Sequence, residues 1–176
     1  MQDARQDTTQ DILDDFAVRE LHAEDRQSMI ECFIELQEHE RQFEHRRLPG
    51  VEMASRYIDS LMEHCRSERG KMFVASLRET AVGFVCVFPY ESLDSDLNTH
   101  VQVAYICDLV VREEYRGRGI GKELMKIAEQ YAIANGATDV FVNVLAGNNS
   151  ARDFYAQAGY VPYELSLVKK LPGEAQ

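Results

Sequence analysis

The run Val101–Val111 is rich in β-branched residues and stops shortly before three alternating glycines, Gly117, Gly119 and Gly121. Immediately afterwards Ile120, Leu124, Ile127, Ala128 and Tyr131 repeat at helical spacing, with Asn135-Gly136 as a stop. A strand, a glycine turn and a helix in that order leave few folds open. Glycine admits left-handed backbone and close approach of a ligand. Successive exposed N–H groups at a helix start form a nest for an anion, and the helix dipole adds to the attraction. Arg116, Arg118 and Lys122 supply counter-charge, so a pyrophosphate suits this turn.

Spacing excludes two well-known phosphate loops. A P-loop requires Gly-x-x-x-x-Gly-Lys and then Ser or Thr, but Gly121-Lys122 is followed by Glu123 and position 116 is Arg. A dinucleotide fingerprint requires Gly-x-Gly-x-x-Gly and an acid closing the next strand, whereas here Asp139 opens it.

The pattern Arg116-Gly117-Arg118-Gly119-Ile120-Gly121, preceded by Asp108-Leu109-Val110-Val111, resembles the acetyl-CoA segment of the GCN5-related N-acetyltransferase (GNAT) family. Asn148-Asn149-Ser150-Ala151 with Phe154-Tyr155-Ala156-Gln157-Ala158-Gly159-Tyr160 is similar to the family's second cofactor segment. Element order agrees from Phe16 to Leu171, and motif likeness covers Ile106 to Tyr160. The resemblance implies acetyl-CoA as cosubstrate, with no metal. The amides of Gly117, Gly119, Gly121 and Lys122, in a turn that includes Ile120, would hold the pyrophosphate, while Arg116 and Arg118 steady it. Pantetheine would lie along Leu109, Val110 and Val111 as an added strand, with an N–H near Leu109 or Val110 meeting the thioester carbonyl. This strand would splay from Val140–Leu145.

Direct transfer to an amine needs a base for the ammonium proton and an acid for the departing thiolate. The resemblance implies Tyr155 as the acid; a core aromatic beside Phe154 is the alternative. Some members carry Glu just before the Asp of this strand, but here that position is Cys107. Asp108 is therefore the candidate base, against a structural carboxylate. Alternation puts Cys107 and Asp108 on opposite faces, with Cys107 in the core and not a nucleophile. Asn148 is a cofactor contact, a helix N-cap or both. Asn143 either turns to the cleft or is a satisfied core amide.

The remaining pattern is a short strand at Phe16–Leu21, a helix with Met29, Ile30, Phe33 and Leu36, and another with Ala54, Tyr57, Ile58, Leu61 and Cys65. A hairpin follows, Met72–Leu77 and Val82–Phe88 about the turn Arg78-Glu79-Thr80. The chain ends in a helix from Asn149 to Ala158 and strand-like Tyr160-Val161 and Leu165–Val168. The expected class is α/β (α+β): a mixed, mainly antiparallel twisted sheet of six to seven strands flanked by helices. Residues 1–14 read as a flexible tail and 15–172 as a single N-acetyltransferase domain.

No apolar run approaches the roughly 20 residues of a membrane span, and the polar start lacks a leader's pattern, so a cytoplasmic place without membrane contact is expected. The four cysteines have no paired spacing for a metal, and Cys86 and Cys107 read as buried free thiols. A net charge of −11 argues against nucleic acid as a partner. It suits a small cationic amine acceptor such as a polyamine or aminoglycoside. Glu35, Glu38, Glu40, Glu44, Glu91, Asp94 and Asp96 fall in the segments expected to choose it, with His39, Phe43 and His45 on the acceptor side. A protein N-terminus or lysine as acceptor, a non-catalytic acetyl-CoA sensor and a purely structural module are the alternatives. A homodimer through an exposed C-terminal strand is a further expectation.

Overall fold

The computed structural model describes residues 16–67, 69–91 and 101–171. The tail expected over 1–14, both ends of the expected domain 15–172, and Asp94 and Asp96 lie outside them. The elements are β1 (Phe16–Glu20), α1 (Arg26–Arg41), α2 (Gly50–Ser67), β2 (Lys71–Leu77), β3 (Thr80–Glu91), β4 (Gln102–Val111), α3 (Ile120–Ala134), β5 (Asp139–Val142) and α4 (Asn149–Gln157). Single 3₁₀ turns, Ala23–Asp25 and Glu113–Tyr115, precede α1 and follow β4.

Five strands form one sheet in the order β1-β2-β3-β4-β5. The first three pairings are antiparallel and β4–β5 is parallel, so the sheet is mixed. The β2–β3 hairpin turns through Arg78 and Glu79, both at positive φ (47° and 68°), as a tight two-residue hairpin requires. Helices cover both faces. Met29, Phe33 and Ile58 of α1 and α2 pack with Phe84, Cys86 and Val110. Leu124, Met125 and Ala128 of α3 pack with Val85, Val87 and Ile106 on the other side. Arg26 ties α1 to α2 through Asp59 (2.7 and 2.8 Å) and Ser55 (2.9 Å). Arg19 of β1 grips buried Asp25 with two bonds (2.7 and 2.8 Å).

Two expectations need correction. Among the described residues the sheet has five strands, not six to seven, because residues 160–171 form no strand and pair with none. Their apolar side chains are largely exposed, Tyr163 meeting Phe141 of β5 edge-to-face (5.0 Å). Cys107 is exposed, not core: the β3–β4 register shifts between Cys86 and Val87, leaving Cys107 unpaired at a bulge. Cys86 remains buried as expected. Among the described residues, no helix is long and apolar enough to cross a membrane.

Candidate active site

The glycine turn lies where β4 gives way to α3. Gly117 and Gly119 have φ of 75° and 84°, and a Cβ on either would meet nothing within 4 Å. Backbone conformation and open space for a ligand therefore account for these two glycines. Gly121 has a different constraint: a Cβ there would stand 3.3 Å from the Phe154 ring, so its absence lets α4 approach α3. Arg116 donates from Nε to the Val111 carbonyl (2.9 Å), and Arg118 donates to the Glu114 carbonyl (2.9 Å) over the Tyr115 ring. Both arginines brace the loop. The Lys122 amide, expected free, closes the first helical turn onto the Gly119 carbonyl (3.0 Å), while the Lys122 side chain is exposed. Buried Ile120 anchors the helix start in the α3-side core.

Beside this turn, β4 pairs with β5 only from Val103 to Ile106. Leu109, Val110 and Val111 stay paired with β3 but have no β5 partner, leaving a strand edge that ends at the glycines. That edge can accept an extended group of peptide-like polarity, and the turn beside it an anion.

The bulge at Cys107 decides what faces this edge. Ala104 and Ile106 point to the α3 side, but Val110 lies in the cluster beneath α1 and α2, and Asp108 pairs across with Cys86 of the same cluster. Asp108 is thereby aimed at α2, where the Tyr57 hydroxyl donates to its Oδ2 (2.8 Å). Burial pushes the Asp108 carboxyl up to about 6, the Tyr57 hydrogen bond opposing the rise. Asp108 is thus mostly ionised at pH 7 yet able to take a proton.

Tyr155 is half-buried on α4, in a row of edge-to-face contacts with Phe154 (5.2 Å) and Tyr160 (5.6 Å). Burial first, then the charges of Asp108 and Glu40, raise its phenol above the ordinary value. Asp108, Tyr57, Tyr155 and Glu40 therefore share one electrostatic neighbourhood. Asn148 is the N-cap of α4, its Oδ1 accepting from the Ala151 amide (3.1 Å) and Ser150 hydroxyl (2.9 Å). Asn143 falls beyond the end of β5 and is exposed, which removes the core-amide alternative.

Few of the acidic residues expected to choose the acceptor reach this site. Glu35 binds Arg112 and the Glu113 amide (3.0 Å each), Glu38 accepts from the Gly50 amide (2.7 Å), and Glu44 pairs with Arg46. These three hold the frame. Glu40 differs: burial raises its carboxyl, and it pairs with Arg47 (2.9 Å), which also donates to Gln37 (3.1 Å). Both Glu40 and Arg47 act on Asp108. Phe43 meets His39 edge-to-face (5.3 Å) and reaches Gly147, where a Cβ would stand 3.1 Å from its ring, closing one wall; His45 is exposed. Tyr57 and Arg47 were missed from sequence, the first hidden in an apolar stripe and the second in a short basic run. Among the described residues, no group of three or more His, Cys, Asp or Glu is placed to hold a metal ion.

The profile of the acetyltransferase (GNAT) family matches residues 17–160. The chain belongs to this family. An uncharacterized N-acetyltransferase of Chlorobaculum tepidum is 31% identical over 112 residues, 64% of this chain and 61% of that protein. An L-ornithine N5-acetyltransferase of Arabidopsis thaliana is 33% identical over 110 residues, 61% of this chain and 46% of that protein. The matches thus span less than two thirds of these curated relatives. Among solved structures, a tetramutant of the BH1408 protein from Bacillus halodurans superimposes with a TM-score of 0.77 at 19% identity, covering 88% of this chain and 99% of that one. That likeness concerns the fold.

Proposed function

We propose that this chain is a cytoplasmic N-acetyltransferase that moves the acetyl group of acetyl-CoA directly to a primary amine. The observation that carries the reading is the buried Asp108 carboxylate, raised to about 6 and held by Tyr57, at an unpaired strand edge leading into the glycine turn. In this reading the amides of Gly117, Gly119 and Gly121 receive the pyrophosphate, with Arg116 and Arg118 shaping the loop and the Lys122 ammonium adding charge. Pantetheine lies along Leu109, Val110 and Val111. Asn148 sets the start of α4 beside it.

Asp108, directly or through a water, removes the ammonium proton, without which an alkylamine of pKa about 10.4 has no free lone pair. The nitrogen then attacks the thioester carbonyl; the C–N bond forms and a strand-edge N–H of β4 stabilises the oxyanion. As the C–S bond breaks, Tyr155 gives its proton to the thiolate, and the nitrogen's remaining extra proton passes through water to the phenolate, leaving a neutral amide and restoring Tyr155. A carboxyl near neutrality beside a phenol pushed well above it is the separation an acid–base pair needs.

The acceptor in this reading is a small cationic amine, polyamine- or aminoglycoside-like, drawn by Asp108 and Glu40. Arg47 favours a second reading, an amino acid with a side-chain amine whose carboxylate meets the guanidinium, the class named for the Arabidopsis relative. A thiol-release assay over polyamines, aminoglycosides, diamino acids and lysine peptides tests both. Tyr155→Phe should lower kcat by at least tenfold with little change in acetyl-CoA Kd. Acetyl-CoA binding without turnover on any amine would identify a sensor instead, and no binding would remove the family's chemistry altogether.

A further inference from the structure

Thiols gather beside the candidate base. Cys65, half-buried in the last turn of α2, has its Sγ 3.5 Å from that of Cys86, which is buried on β3. Cys86 pairs across the sheet with Asp108, and hydrogen bonding to Cys107 and to Cys65, then burial, pushes its thiol far up. The Cys65 thiol moves the other way: the Cys86 hydrogen bond lowers it, with burial opposing and the Lys71 ammonium helping. Of this pair Cys65 is thus the more acidic sulfur and the one nearer solvent, with the Cys86 thiol donating to it from behind. Cys32 is buried against the Ala81 carbonyl (3.9 Å) and pushed up to about 12 by burial. Acetyl transfer by Asp108 and Tyr155 uses none of these sulfurs.

We infer that Cys65 and Cys86 are a modification site, closed to a reversible disulfide by hydrogen peroxide or another hydroperoxide, and that closing it disables the acceptor half of the site. The Cys65 thiolate attacks one peroxide oxygen; the O–O bond breaks, and the departing hydroxide takes a proton from solvent to leave as water. The Cys86 sulfur then attacks the Cys65 sulfenic sulfur. The S–S bond forms, the S–O bond breaks, and hydroxide leaves as water with the Cys86 proton. Two electrons pass from the two thiols to one peroxide, and a dithiol returns them. A disulfide needs sulfurs about 2.05 Å apart, so the pair must close from 3.5 Å by about 1.5 Å. The last turn of α2 can yield, because its carbonyls lack helical partners. Tyr57 lies about two turns earlier on the same helix and donates to Asp108 at 2.8 Å. About 0.2 Å more takes that bond out of the usual range. The loss of activity rests on the role proposed for Asp108; the disulfide does not.

Hydrogen peroxide added to the reduced full chain should consume two of its four thiols and lower its mass by about 2 Da, both reversed by dithiothreitol. Cleavage after Glu91 separates Cys86 from Cys107, so a digest without reductant should show Cys65 joined to the Cys86 peptide. Oxidation should lower kcat by roughly tenfold, the worth of a lost hydrogen bond to a charged group. Cys65→Ser should keep the turnover of the reduced enzyme and lose the peroxide effect. Four thiols surviving peroxide, a bridge to Cys107 in place of Cys65, or oxygen added to sulfur without a bridge overturns the proposal. A Cys65–Cys86 bridge that leaves turnover unchanged overturns the coupling to the site. Reduced enzyme that acetylates no amine overturns the proposed reaction and that coupling with it, while the thiol count and the joined peptides decide the pair on their own.

Discussion

Asp108→Asn should make the protein more stable and nearly inactive, and the structure sets the size of both effects. Burial raises the Asp108 carboxyl from 3.8 to about 6. Between those values the folded chain keeps a proton that the unfolded chain releases, so stability falls as pH rises through this window. A rise of about two units corresponds to roughly 3 kcal/mol at pH 8. Asparagine keeps the volume and can still accept the Tyr57 hydroxyl, but it carries no charge to desolvate. Thermal unfolding at pH 8 should show the variant more stable by roughly 1–3 kcal/mol, a Tm gain of about 2–10 °C for a chain of this size. At pH 4 the difference should nearly vanish. Turnover at pH 8 should drop by roughly 10²–10⁴, the usual worth of a positioned base. A stability difference that is zero or unfavourable at pH 8, and equal at pH 4 and 8, would refute the argument that Asp108 is held ionised at a cost.

Tyr57→Phe keeps the stack on Phe33 (4.4 Å) but removes the bond that lowers the Asp108 pKa, so the rising limb of kcat against pH should move up by roughly one unit. An unmoved limb would mean that another group titrates there. Gly119→Ala forces a φ of 84° on a residue with a Cβ, costing about 1 kcal/mol or more, and calorimetry should find acetyl-CoA binding weakened by roughly tenfold; unchanged affinity would separate the turn from the ligand. Asp25→Ala strands Arg19 and loses the bond from the His22 amide (2.8 Å), and urea unfolding should show a loss of roughly 2–4 kcal/mol. Because Arg19 and His22 hold the Asp25 carboxyl below 3.8, that contribution is complete above 3.8 and disappears as pH falls through the lower folded value.

The parts of this protein legible in its sequence are those fixed by local chemistry. The glycine turn, the amphipathic stripe of α2, the Asn148 cap and the Arg78-Glu79 hairpin each depend on a few neighbouring residues, and each stands where its pattern places it. What escaped depends on partners distant in the chain. Alternation along Leu165–Val168 is the right texture for a strand, but pairing requires a free edge that sequence does not supply. Glu35 and Glu38 look like Glu40 on a linear chain; only the approach of Arg112 and the Gly50 amide turns the first two into struts. Tyr57 is one aromatic among several on its stripe until Asp108 arrives from 51 residues away.

Asp108 owes its direction to the extra residue at Cys107. Downstream of that residue β4 is half a period out of phase with its upstream half. Even-numbered Ala104 and Ile106 face the α3 core before the slip, whereas Asp108 and Val110 face α1 and α2 after it. Removing a single residue there would leave the glycine turn and its motif intact while swinging the carboxylate from α2 to the α3 face. Two chains with the same glycine signature can therefore differ in which face of the sheet this carboxylate occupies, and the phase of the strand is the property to inspect beside the motif.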